Sequence, residues 1–211
     1  ETTLSVTLSN TGQLPLYYNV NTFLKDESGN IISDGFGFTW KGSDSDTSVN
    51  FQWVDIEGRG NIITEDIGDN ENWGPYALGF PLTFYGNSFD SIRISTDGWM
   101  SFSSDKTDFK NKTLPNDSGV FNLIAPFWDD LKLDTNSKII YFNNSDSAII
   151  TYSEVRRHPS GGPYTFQTIL TKDGQIVFQY KSMSGTLNSA TIGIQNQDGS
   201  IGLEIGYNED I

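Results

Sequence analysis

The chain has 211 residues, with 13 Lys and Arg against 27 Asp and Glu, a formal net charge of −14 and no cysteine. Its length suits one sizeable domain, and an aromatic content of 13% argues for a packed core and against a disordered acidic tail. Disulfide scaffolds, thiolate metal sites and cysteine catalysis are excluded; nucleic acid is a poor partner for so acidic a surface; and no apolar run approaches the roughly 20 residues of a membrane-spanning helix.

The chain opens at Glu1 with neither a basic start nor an apolar leader, so it reads as a mature product or an excised domain. Thr3–Ser9 and Leu16–Phe23 are strand candidates on either side of an Asn10-Thr11-Gly12 turn. A Ser/Asp-rich connector, Ser43–Thr47, follows. About 45 residues bury too little surface to fold alone. Residues 1–45 are therefore read as leading strands, or as the end of an immunoglobulin-like module, packed on a main domain of residues 46–211.

Phe51–Asp55 and Pro81–Tyr85 are the next strand candidates. Ile92 and Ile94, then Met100 and Phe102, alternate with polar residues on either side of Asp97-Gly98, a strong hairpin signal. Val120–Leu131 is almost continuously apolar until Asp129. Pro126 argues against a central strand there. The expectation is a strand entering a buried corner, or a helical turn after Pro126, with Phe127 and Trp128 between the sheets. From 138 to 207 the pattern predicts six strands in successive hairpins, turning at Asn144-Ser145-Asp146, Asp173-Gly174 and Asp198-Gly199. Phe166 and Leu170, then Ile176, Phe178 and Tyr180, form core faces. No helical stripe is present. The fold class is all-β: an antiparallel two-sheet β-sandwich of jelly-roll or immunoglobulin-like type with little helix.

The residues that carry catalysis elsewhere are sparse. His158 is the single histidine, set in the polar loop 156–162, and no Gly-x-Ser-x-Gly elbow exists. A glycoside hydrolase needs two facing carboxylates. Asp129 and Asp130 are adjacent and would point to opposite sides of a strand, so no catalytic residue is assigned. Calcium is the better chemical expectation, because clustered carboxylates suit a hard cation. The candidate ligands are Asp66 and Asp69, then Asp129, Asp130 and Asp134, with Asp44 and Asp46 as a third acidic cluster. The Asp129–Asp130 pair is the most attractive, since buried carboxylates need a counter-charge. Arg93 or Arg156 would supply it in place of a metal. Trp73, Tyr76 and Trp99 lie in or beside predicted loops and are candidate ligand-stacking residues for a sugar. Trp40, Trp53 and Trp128 are assigned to the core.

Several stretches carry a resemblance as a set: Phe36–Trp40, Trp53–Ile56, Leu78–Gly86 (LGFPLTFYG), Ile94–Phe102, Ile124–Leu131 (IAPFWDDL), Thr165–Leu170 and Ala190–Asn196. Together they resemble nidogen-type adhesion domains and the β-sandwich modules beside secreted bacterial peptidases and surface adhesins. The likeness spans roughly residues 34–208, with Asp97-Gly98 where the pattern usually has Asn-Gly. It implies a non-catalytic accessory or adhesion module, extracellular or at the cell surface; the charge of −14 favours a monomeric domain. The expected partner is an extracellular protein or polysaccharide.

Overall fold

A computed structural model describes residues 33–44, 46–63 and 68–210. Among them the chain forms twelve strands and no helix: β1 (Asn61–Ile62), β2 (Asn72–Phe84), β3 (Asn87–Ser95), β4 (Met100–Ser101), β5 (Leu123–Trp128), β6 (Leu131–Lys132), β7 (Lys138–Asn143), β8 (Ser147–Arg157), β9 (Tyr164–Thr171), β10 (Ile176–Met183), β11 (Thr191–Gln195) and β12 (Gly202–Tyr207). They build two antiparallel sheets. Sheet one has the order β1-β7-β8-β9-β10, with β6 also on β8; sheet two has the order β12-β11-β5-β4-β3-β2. The two-sheet sandwich expected from the alternation is the observed fold.

The hairpins at 144–146, 173–174 and 198–199 join β7 to β8, β9 to β10 and β11 to β12. The run of six strands in successive hairpins is interrupted once. β10 does not pair with β11, because the chain crosses there from sheet one to sheet two. Phe51–Asp55 is not a strand either. It lies across the outer face of sheet one, fastened by two glutamine side chains. The Gln179 amide accepts from Gln52 N at 2.7 Å and donates to Gln52 O at 2.8 Å. The Gln167 amide does the same for Val54, at 3.3 and 2.9 Å. Each carboxamide thus supplies the donor and acceptor that a neighbouring strand would have given. Trp53 is accordingly only half-buried on this outer segment, stacked on Phe51, and not in the core between the sheets.

β5 is a central strand in spite of Pro126. Its pairing with β11 runs Trp128 to Thr191 and then Ala125 to Gly193, so Pro126 and Phe127 together oppose Ile192. This is a β-bulge, the place where a sheet tolerates a residue without an N–H. The extra residue also shifts the alternation. Ile124 and Phe127 face the core between the sheets, whereas Trp128 turns to the opposite face. There it packs with Trp99, Leu114, Val120, Leu123 and Ala125. The expectation for Phe127 holds, and that for Trp128 is corrected by the bulge. Burial on both faces accounts for the unbroken apolar run.

Tyrosines of sheet one reach across the core to backbone carbonyls of sheet two. Tyr141, Tyr152 and Tyr180 donate to the carbonyls of Ala77 (2.5 Å), Ser95 (2.6 Å) and Pro126 (2.7 Å). Ala77 and Pro126 lie where the ladder of sheet two breaks register. Burial holds all three hydroxyls above the usual tyrosine range, so they stay donors at neutral pH.

The predicted strands Thr3–Ser9 and Leu16–Phe23 lie outside the described residues. Of the leading region, residues 33–44 are described. Asp34 Oδ1 accepts from the backbone N–H groups of Phe36, Gly37 and Phe38, and its Oδ2 accepts from the Tyr85 hydroxyl at 2.7 Å. Phe38 lies 4.8 Å from Tyr85 and 5.6 Å from Phe84, ring to ring, so this stretch packs on the sandwich.

Phe166 is fully buried and stacks on Tyr152 at 4.6 Å. Phe166→Ala should therefore cost about 3–5 kcal/mol in a denaturant titration; a cost below about 1 kcal/mol would contradict the core face assigned to β9. Gln167→Ala, which orphans the Val54 backbone pair, should cost about 1–3 kcal/mol by the same measurement.

Candidate functional site

Strand ends from both sheets meet at one end of the sandwich: the close of β5, β8 and β12 and the start of β11. The β5–β6 turn, Asp129-Asp130, projects there. Asp129 is buried, and its two oxygens are engaged. Oδ1 accepts from Asp130 N at 2.8 Å, and Oδ2 accepts from Arg157 Nε at 2.9 Å and Ser189 Oγ at 2.5 Å. The partner of this acid is Arg157, in place of the expected Arg93 or Arg156. Arg93 instead bonds Asn72 and the Gly74 carbonyl. Arg157 is bound through Nε alone; its two Nη groups make no hydrogen bond among the described residues.

A cavity of about 440 Å³ opens beside this arginine, lined by Phe109, Lys110, Asp130, Arg157 and Asn188 among others. Phe109 is an exposed ring on a polar loop. Next to it, the Asp108 carbonyl accepts from the indole N–H of both Trp99 (2.9 Å) and Trp128 (3.0 Å), and further along the loop Asn111 and Lys112 bond Thr191 and Asn208. The two tryptophans packed on the outer face of sheet two thus help tie this loop to the sheet.

Asp130 points the other way as well, toward Asp97 and Asp69. One carboxylate oxygen from each of the three lies within 4.8 Å of the others. Asp97 is fully buried in the β3–β4 turn. It accepts from Leu131 N at 3.2 Å and from the hydroxyls of Ser95 and Thr96 at 3.3 Å. Burial first, then the neighbouring Asp130 charge, pushes its carboxyl up to about 8. Asp130 is also raised, chiefly by burial, with His158 opposing. Three converging acids cannot all stay charged unaided. A shared proton or a hard divalent cation relieves the repulsion.

The five acids predicted as calcium ligands are thus divided. Asp69 and Asp130 come together, with Asp97 as a third member that turn chemistry concealed. Asp129 is neutralised by Arg157. Asp134 caps Asn136 and Ser137 and pairs with Arg156 at 3.1 Å, and the Asn136 N–H leads in holding its carboxyl below the usual range. Asp66 lies outside the described residues. In the third cluster, Asp46 pairs with Lys41 at 2.8 Å. The aromatic candidates do not meet. Trp73 and Tyr76 lie in β2, partly buried against the core, and Trp99 is fully buried. The aromatic ring at the cavity is Phe109, a lone apolar residue in the run Asp105–Lys112. His158 is exposed, and its backbone N–H donates to the Asp130 carbonyl at 2.8 Å.

A family model described as NIDO related matches residues 44–209, which takes in both sheets. The chain belongs to the NIDO-related family. The nidogen-type pattern noted in the sequence agrees with this membership. No solved structure matches this NIDO-related chain. No helix among its described residues is long and apolar enough to cross a membrane.

The acid cluster gives a prediction with a fixed sign. The carboxyl of Asp97 titrates near 3.8 when unfolded and near 8 when folded. Its contribution to stability is complete below the lower value and is lost as pH rises through the upper one. In chelator, the melting temperature of the NIDO-related domain should fall between about pH 4 and about pH 8, and Asp97→Asn should flatten that fall. Millimolar calcium at the alkaline end restores the wild-type melting temperature, but not that of Asp97→Asn, if a cation takes the proton's place. Overlapping curves with and without calcium would remove a structural metal from the account.

Proposed function

We propose that this NIDO-related domain is a non-catalytic, extracellular accessory or adhesion module of a larger secreted or surface protein, and that it engages a protein or a glycan. The cavity at the end of the sandwich carries the reading. Its groups suit recognition: a guanidinium with free donors, an exposed ring, a carboxylate and an amide. They suit hydrolysis poorly, because a carboxylate pair needs both members free to act. Of the two acids here, Asp129 is bonded to Arg157 and Ser189. Membership of the NIDO-related family supports the same reading. The setting we propose is the one the sequence pattern resembles, beside a secreted bacterial peptidase or within a surface adhesin.

The domain should bind saturably to at least one member of an immobilised panel of extracellular proteins (collagen, fibronectin, fibrinogen) and polysaccharides (cellulose, chitin, mannan), releasing no soluble product. Retention on none of them, or release of fragments from any, would overturn the proposal.

A further inference from the structure

We propose that the cavity beside Arg157 is a saccharide site, with Phe109 as the stacking face and Arg157, Asn188 and Asp130 as the hydroxyl-binding groups. This rests on the reading of the chain as a binding module and specifies its ligand.

The argument begins with Arg157. Its Nε is spent on a buried carboxylate and on Ser189, which fixes the guanidinium plane. Both Nη groups are left as donors on a fork that has already lost its freedom, so a ligand pays little to order it. Asp130, partly exposed on the same wall, is an acceptor. Asn188, exposed on the loop before β11, is both donor and acceptor. A sugar hydroxyl is also donor and acceptor at once, and is the group that such a mixed lining satisfies. The other half of a sugar's surface is its C–H face. Phe109 supplies the flat apolar partner for it, 45% exposed and anchored through the Asp108 carbonyl.

The charge balance selects within the class. The lining carries Lys110 and Arg157 against Asp129 and Asp130, so it is formally neutral. A phosphate or sulfate would gain the two cations but meet Asp130 at short range. Uncharged saccharides incur no such repulsion.

The site carries its own reporter. Because Trp99 and Trp128 both donate to the residue before Phe109, a ligand that shifts the loop perturbs two buried indoles. The test is a glycan array of neutral and acidic saccharides, followed by tryptophan-fluorescence titration of the tightest hit. Binding of a neutral saccharide is expected, weakened about tenfold by Phe109→Ala, a change worth about 1.4 kcal/mol, and similarly by Asn188→Ala. Both sites are exposed, so melting temperatures should stay at the wild-type value. Phe51→Ala, on the outer face of sheet one, should bind as wild type. The proposal fails if no saccharide binds, if only sulfated or phosphorylated ones do, or if Phe51→Ala abolishes binding while Phe109→Ala does not. Capture by an immobilised protein without any glycan hit would sink the saccharide site yet leave the binding module standing. Binding to neither would sink both.

Discussion

The arrangement of this molecule depends on one buried turn. Residues 95–99 link β3 to β4, and the turn closes on itself through the Ser95 N–H and the Trp99 carbonyl while its other carbonyls and side chains tie several distant parts of the chain. The carbonyls of Ser95 and Trp99 accept from Tyr152 of the opposite sheet. Thr96 exchanges hydrogen bonds with Glu71. The carbonyls of Asp97 and Gly98 accept from Asp129 and Phe127, and the Asp97 carboxyl accepts from Leu131. Gly98 is obligatory here: its φ is +72°, and a Cβ would stand 1.9 Å from the Phe127 carbonyl oxygen. The turn holds the end of β5 and the start of β6, and with them Asp129 and Asp130. The position of the cavity is thus set by a hairpin tip that never reaches solvent.

Around this junction the sandwich solves one recurring problem, irregular backbone inside a protein. Bulges in β2 and β5 shift polar groups out of the ladder, and buried groups left unpaired would each cost about 1–3 kcal/mol. Tyrosine hydroxyls from sheet one answer the carbonyls. The amides of Gln167 and Gln179 answer both groups of the crossing segment at Gln52 and Val54. The price of regularity is thereby avoided on both outer faces, where loops and not helices cover apolar residues. The Trp99–Trp128 cluster lies under one such cover, and Ile56, Ile140 and Ile149 lie under the other.

How far the sequence reveals this follows from what is local. Period-two alternation and Asp-Gly turns are local, so the hairpins and the two-sheet class are legible, as is the core position of Phe166. Pro126 misleads because its tolerance depends on a register shift with β11, sixty-odd residues away in the chain. Phe51–Asp55 has strand composition, and its partners are side chains, which alternation does not encode. Asp97 carries an ordinary turn signature, and nothing nearby distinguishes a buried tip from a solvated one. Apolar neighbours on both sides, ISTDGWM, were the available hint. Arg157, Ser189 and Asn188 give no signal at all, since Arg157 reaches Asp129 only through the pairing of β8 with β6, and Ser189 and Asn188 only through the crossing from β10 to β11. Asp69 and Asp130 were legible as acids in loops, but not as neighbours.

The same reasoning changes what the net charge of −14 means. Many of these acids serve turns: Asp34 accepts three backbone N–H groups, and Asp46, Asp134 and Asp198 cap the residues two beyond them. Their charge is a consequence of building many tight connections, and it says nothing about the ligand at any one place. At long range it repels polyanions. At short range the cavity presents equal numbers of cationic and anionic side chains, with one acid already neutralised by Arg157. The field thus screens out the partners that a free guanidinium would otherwise attract. What remains is selected by hydroxyl geometry and an aromatic face, which is recognition by shape and hydrogen bonding and not by charge.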